Sequence, residues 1–340
     1  MLQAIMTKPG KIEYKVKAIP DIGADEILLE TKRIGVCGSD IHVYHGMHPY
    51  TSYPVIQGHE VSGYAAEVGE NVKGITVGDK ITFAPQVTCG DCFPCQNNMY
   101  HICEKLKVMG FQTDGAGQEY FPVPAKNVFK LSDDFPLDYA AMIEPVSVAV
   151  RAVRKGGNII GKKVLILGAG TIGNLNAQVA KALGADSVII TDIRDYKLEK
   201  AKACGIDFTI NSSIENLGAG IIKYFGKNKA DLILECVGIQ ATADQAIENA
   251  RKGSTIVVVG VFGKKPKVDL GLVQDRELSL VGTLMYQKSD YEKAIELIEN
   301  KKIQLDELLT HRFSFDQFLD AYQMIDESDG KYMKVMIELE

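Results

Sequence analysis

A chain of 340 residues is long enough to bury two cores of ordinary size, so it needs no disulfide staple to stay folded. Its formal charge of −6 comes with scattered lysines and no basic cluster interleaved with aromatics, which argues against a nucleic-acid partner. No apolar run nears the roughly 20 residues that cross a bilayer. The first forty residues show no charged stretch followed by an apolar run and a small-residue cleavage site, and the seven cysteines are odd in number and unevenly spread, so we expect a cytoplasmic protein with no membrane partner.

Up to about residue 150 the chain consists of short alternating or β-branched segments punctuated by Gly and Pro, such as "EILLETKRIGVCG", "EVSGYAAEVG" and "GDKITFAP". This texture predicts a β-rich domain with long functional loops. Two of those loops carry candidate metal ligands. In "GVCGSDIH" and "QGHEVSG", Cys37 offers a thiolate, His59 an imidazole and Glu60 a carboxylate, a mixed set suited to Zn²⁺ with a position left for a substrate oxygen. Glu144, in "MIEPVSVAV", is a fourth candidate, either as a ligand or as a partner of a metal-bound water. Between them, "CGDCFPCQNNMYHIC" places Cys89, Cys92, Cys95 and Cys103 with two, two and seven residues between them. Four thiolates fill a tetrahedral zinc completely, so this second site is expected to be structural and to pin a loop.

From "KKVLILGAGTIG" onward, apolar strands alternate with helical periodicity, which predicts a doubly wound parallel sheet. We place strands at 164–167, 188–191, 232–235, 256–259 and 278–281. Gly168, Gly170 and Gly173 follow the first strand at the mouth of a helix. The first makes the tight turn, the second admits a pyrophosphate and the third allows close helix packing, while Thr171 and Ile172 fall on the helix N-terminus that faces the phosphates. Asp192, at the end of the next strand, can accept both adenosine ribose hydroxyls and repels a 2′-phosphate, which favours NAD over NADP. Arg194 and Lys197 lie beside it, and Cys236, Val237, Val259 and Gly260 follow later strands at the same end of the sheet. We divide the chain into a catalytic domain over 1–150 and a coenzyme domain over 151–286. The tail 287–340 runs helix, strand, helix and a last strand "KVMIEL", and is expected to fold back onto the first domain.

These motifs together resemble the zinc-dependent medium-chain alcohol dehydrogenase family, and within it the sorbitol (polyol) dehydrogenase branch. The resemblance rests on "CGSDIH", "GHE", "CGDCFPC" with Cys103, "EPVSVAV", "GAGTIG" with Asp192 and "KVMIEL", and covers essentially the whole chain. It implies an α/β protein with a GroES-like β-rich catalytic domain and an inserted Rossmann coenzyme domain, with the active site in the cleft, two zinc ions per chain, and NAD. It also implies that a secondary alcohol is oxidised to a ketone. Zinc acidifies the alcohol as a Lewis acid, Ser39 and His42 resemble the family's proton relay, and hydride passes to the nicotinamide.

The polyol enzymes carry an Arg-Tyr pair where this chain has Met285 and Tyr286 in "VGTLMYQ". That departure leaves sugar alcohols, sugar acids and 2,3-diols open, and L-threonine remains an alternative because threonine dehydrogenases share "CGxDxH" and "GHE". Tyr44, Phe111 and Tyr286 are expected in the substrate pocket wall. Ser39 alone could be a helix cap and His42 a surface histidine. His45 and His48 match no motif and read as ordinary loop histidines. Cys204 reads as packing. A non-catalytic zinc-binding protein on the same fold is the alternative from another class; it should have lost Cys37, His59 and Glu60, which are present. A homo-oligomer, dimer or tetramer, is expected, with the strand at 278–281 as a candidate for pairing across a two-fold axis.

Overall fold

A computed structural model describes residues 1–340, which form two compact units. The first comprises Met1–Glu144 and Leu309–Glu340, the second Pro145–Leu308. The chain therefore returns at 309 rather than at the expected 287. The helix Lys288–Glu299 stays with the second unit because its buried face, Tyr291, Ala294 and Leu297, belongs there, and because its Asp290 carboxylate accepts from Arg154 Nη1 at 2.6 Å.

In the first unit a seven-stranded sheet runs in the order Leu309–Ser314, Lys334–Glu338, Glu26–Val36, Glu60–Val68, Lys80–Phe83 and Val128–Lys130, with Tyr120–Pro124 also pairing with Glu26–Val36. All pairs are antiparallel except the two C-terminal strands, which run parallel. Ile27, Leu29, Ile34, Val61, Ile81 and Ile337 fill its core. The long central strand ends at Val36, and the helix Gly38–Tyr44 starts at once because the Asp40 carboxylate accepts the Cys37 N–H at 2.9 Å. That helix buries Ile41 and Val43.

The second unit holds a six-stranded, all-parallel sheet in the order Phe208–Asn211, Ser187–Asp192, Lys163–Leu167, Leu232–Glu235, Thr255–Val258 and Ser279–Gly282. Its central strands are buried on both faces, as parallel strands covered by helices must be. The strand order reverses between Lys163–Leu167 and Leu232–Glu235, the position where ligands bind in open sheets of this kind. No helix is long and apolar enough to cross a membrane.

Candidate active site, coenzyme cradle and cysteine cluster

The donor atoms of Cys37, His59 and Glu60 lie within 4.8 Å of one another. Sheet register makes this possible. Gly35 pairs with Glu60 across adjacent strands, Cys37 follows two residues on, and His59 precedes Glu60. A Cβ at Gly35 would fall 2.2 Å from Glu60 Oε2, so glycine there makes room for the carboxylate. A thiol, an imidazole and a carboxylate gathered in this way fit a zinc ion.

Three residues that the sequence reading left without a role support this trio. Asp40 is buried, and its Oδ1 lies 3.6 Å from His59 Nδ1, which makes no hydrogen bond of its own. Asp40 therefore stands on the side of the ring where a carboxylate orients a metal-binding histidine, short of hydrogen-bond contact. Gln57 donates to Asp40 Oδ1 at 3.1 Å and accepts from Tyr322 at 3.1 Å, fixing the carboxylate in turn. Lys334, 4% exposed, donates to Glu60 Oε1 at 2.7 Å and to the Val36 carbonyl at 3.0 Å. Glu60 is therefore balanced by a buried ammonium. The lysine stands at the head of "KVMIEL", a motif read only as a strand.

Burial opposes charge on the His59 ring, but Asp40, Cys37 and Glu144 outweigh it and raise the pKa to about 10, so a cation entering the trio must displace a proton. Burial likewise lowers Lys334, yet Glu60 and then Cys37 hold it above the ordinary lysine value. Burial raises the Asp40 carboxyl against the pull of His59. Glu144 is buried and stands outside the three-residue group, although its charge reaches both His59 and Lys334.

Ser39 and His42 sit on the helix Gly38–Tyr44, three residues apart and so on one face, Ser39 half-buried and His42 exposed. Phe111 is buried, with its ring centroid 4.8 Å from that of His59. Its other neighbour is His48, also at 4.8 Å and inclined by only 8°. His48 therefore belongs to the surroundings of the trio and is no ordinary loop residue; the signal for it is spatial and absent from any motif. His45 pairs with Asp326 at 2.8 Å. Tyr44 packs edge-on against Tyr322 at 5.5 Å. Tyr286 is buried in the second unit against Tyr291, ring centroids 5.5 Å apart, which does not suit an open pocket wall.

The cysteines 89, 92, 95 and 103 also bring their sulfurs within 4.8 Å of one another. The loop is shaped for this: Cys92 precedes the turn of helix Phe93–Gln96, and the buried Cys103 follows the short helix Tyr100–Ile102. Cys103 Sγ also accepts the N–H groups of Cys89 and Lys105, at 3.4 and 3.3 Å. Burial raises the Cys92 thiol, but hydrogen bonds from the Glu104 and Cys95 backbone and from Cys95 and Cys89 outweigh it and lower the pKa to about 6. The cluster fits a four-thiolate metal site.

In the second unit, Gly168 follows its strand with φ +96°, a conformation that favours glycine. A Cβ on Gly173 would lie 1.8 Å from the Gly168 carbonyl oxygen, so the helix can pack here only against glycine. Gly170, Thr171 and Ile172 are half-exposed at the start of the helix Thr171–Ala182. Asp192 ends its strand and accepts the N–H groups of Ala169 at 2.8 Å and Arg194 at 3.0 Å, which ties the ribose candidate to the glycine turn. Val237 is exposed beyond its strand. Val259 and Gly260 donate to the Glu235 carbonyl at 2.8 Å each, and Glu235 Oε1 accepts the N–H groups of Val237 and Gly238. Burial first, then Glu235, pushes the Cys236 thiol well above the usual range, so it is no ready nucleophile. Cys204 is buried at the end of the helix Asp195–Ala203.

Comparison with known proteins agrees with both units. Residues 23–133 match the alcohol dehydrogenase GroES-like domain, and 171–300 the zinc-binding dehydrogenase family. The L-threonine 3-dehydrogenase of Pyrococcus horikoshii is 33% identical over 100% of this chain and 99% of its own. Sorbitol dehydrogenase 1 of Saccharomyces cerevisiae is 32% identical over 98% and 96%. A structure from Escherichia coli CFT073, described as a short chain alcohol dehydrogenase complexed with NADH, superposes with a TM-score of 0.93 at 32% identity, covering 100% of this chain and 99% of that one. The chain accordingly belongs to the zinc-dependent medium-chain alcohol dehydrogenase family, and is an oxidoreductase of small molecules whose cofactors are zinc and NAD(H).

Proposed function

We propose that the protein oxidises a secondary alcohol of a polyol, sugar-derived alcohol or sugar acid to the ketone with NAD⁺. The observation that carries this reading is the buried convergence of Cys37, His59 and Glu60 with Asp40 and Lys334 behind them. When bound, zinc supplies a Lewis acid that lowers the pKa of an alcohol, and NAD⁺ supplies the hydride acceptor. In this reading Cys37, His59 and Glu60 hold the metal, and Glu144, whose charge acts on His59 and Lys334, joins them or steadies a water. Asp40 fixes the ring of His59, and Lys334 keeps the carboxylate of Glu60 from standing uncompensated. Ser39 relays the alcohol proton, releasing its own hydroxyl proton as it accepts the alcohol's, and His42, on the exposed part of the same helix, carries the released proton to solvent. The N-terminus of helix Thr171–Ala182 receives the pyrophosphate, Asp192 the ribose hydroxyls, and the turns at Val237 and at Val259–Gly260 the rest of the coenzyme. The cysteine cluster holds a second, structural zinc.

The catalytic domain in this reading is 1–144 with 309–340, and the coenzyme domain is 145–308. We further propose a homo-oligomer. The strand Ser279–Gly282 is an edge of its sheet with Leu280 41% exposed, which favours pairing with a second copy. Seven free cysteines suit a cytoplasmic location.

The test is reduction of NAD⁺ and NADP⁺ against sugar alcohols, sugar acids, 2,3-butanediol and L-threonine, each with and without a strong chelator. Chelator-sensitive NAD⁺ reduction on a polyol or sugar acid is expected. A marked preference for 2,3-butanediol or L-threonine would replace the substrate class, and chelator-insensitive turnover would overturn the metal role.

A further inference from the structure

The geometry points to His48 as a specificity-determining residue, whose imidazole hydrogen-bonds a hydroxyl of the substrate a few carbons away from the carbon being oxidised, and so selects an uncharged polyhydroxyl chain. The inference rests on Cys37, His59 and Glu60 being the reacting centre. Three rings form a short ladder from that centre. His59 meets Phe111 at 4.8 Å, and Phe111 meets His48 at 4.8 Å in a parallel stack. His48 thus lies no farther than two ring spacings from a metal-ligand candidate, a span that a sugar-alcohol chain covers.

The ring is also held. His48 Nδ1 is hydrogen-bonded to Thr51 Oγ1 at 2.7 Å, which leaves Nε2 as its remaining polar atom. The His48 N–H donates to the His42 carbonyl at 3.1 Å, tying the loop to the helix that carries Ser39 and His42. On the other side, Gln112 joins the next loop to this one, with Nε2 donating to the Tyr50 carbonyl at 3.4 Å and Oε1 accepting the Val108 N–H at 2.8 Å. Such fixing from two sides gives a hydrogen-bonding group defined direction and lowers the entropy cost of using it. Burial, the largest cause, lowers the His48 pKa below the usual histidine value, which favours the neutral ring. The loop from His45 to Ser52 carries no lysine or arginine. A neutral ring in such a loop suits a hydroxyl and gives no charge to a carboxylate or phosphate.

The experiment compares kcat/KM of the zinc-loaded enzyme for sorbitol and xylitol with that for 2-butanol, which has the secondary alcohol and no further hydroxyl. H48F keeps the stack on Phe111 and removes the hydrogen bond; H48Q keeps a polar group. We expect the polyol-to-butanol ratio to fall about tenfold or more in H48F, mostly through KM, and to recover in part in H48Q. A ratio within twofold of wild type in both variants overturns the role of His48. Faster wild-type turnover of gluconate than of sorbitol and xylitol overturns the selection of an uncharged chain while leaving the reacting centre standing. No turnover of any of these alcohols by wild-type enzyme carrying two zinc ions removes the reading on which the inference depends, and the inference with it.

Discussion

Replacing Lys334 by methionine isolates the electrostatics of the candidate metal centre. Lys334 and Glu60 are 4% and 1% exposed, and the pair is joined at 2.7 Å. Removing one partner of a buried ion pair leaves the other charge uncompensated, at a cost of about 3–5 kcal/mol. Methionine restores most of the packing volume, so this charge term dominates over a cavity term. A zinc ion in the trio places positive charge beside Glu60 again, and the penalty in the zinc-loaded protein should then be smaller by about 2 kcal/mol, which by linkage is an increase of roughly 30-fold in zinc affinity. The chain has no tryptophan, so urea unfolding is followed by circular dichroism, on chelator-treated and zinc-loaded protein. Zinc affinity is measured separately by competition with a chromogenic chelator. The double variant Lys334→Met with Glu60→Gln should recover much of the lost stability. A loss below about 1 kcal/mol in the chelated protein, or an equal loss in both forms, would refute the account of Lys334 as counter-charge.

Three further outcomes are expected. Cys103→Ser should lower the metal content from two zinc ions to one and the thermal midpoint with it, while the folded fraction keeps its KM; normal stability with selective loss of hydride transfer would contradict a structural role. Gly173→Ala pushes a methyl to within 1.8 Å of the Gly168 carbonyl and should weaken NAD⁺ binding at least tenfold by calorimetry, because the helix must move off the glycine turn. Burial lowers Lys197 from 10.5 to about 8, with Asp192 opposing and Arg194 adding to the shift, so the side chain is charged below that pH and neutral above it. Attraction for a 2′-phosphate is therefore present below pH 8 and lost as pH rises through it. The KM for NADP⁺ should climb between pH 7 and 9 relative to that for NAD⁺, and a constant ratio would count against Lys197 facing the ribose.

The sheet of the coenzyme unit was readable where strands are apolar and doubly covered. The sequence places Lys163–Leu167, Ser187–Asp192, Leu232–Glu235, Thr255–Val258 and Ser279–Gly282 to within about a residue. It misses Phe208–Asn211 and the helix Leu217–Phe225 after it. "FTIN" is four residues long, half polar and on the sheet edge, so it carries neither an apolar run nor an alternation long enough to stand out. Of the two candidate ligand groups, Cys89, Cys92, Cys95 and Cys103 stand out in the sequence by their tight spacing, whereas Cys37, His59 and Glu60 stand out only through the separate motifs "GVCGSDIH" and "QGHEVSG". Lys334 does not stand out, because its meeting with Glu60 depends on how the last strand registers against Glu26–Val36, and no local pattern encodes that. His48 was passed over for the same reason: only the fold brings it onto Phe111.

The split of the first unit into Met1–Glu144 and Leu309–Glu340 orders events during synthesis. The coenzyme unit is one continuous stretch and can fold as soon as its own residues have emerged from the ribosome. The sheet that presents Cys37, His59 and Glu60 must wait for Lys334–Glu338, so the counter-ion of Glu60 arrives only after the whole coenzyme unit has been made. Until then a buried carboxylate site lacks its partner. A chain interrupted after residue 308 holds the whole coenzyme unit yet lacks the strand Lys334–Glu338, so coenzyme binding by itself does not report that the sheet carrying Cys37, His59 and Glu60 is complete.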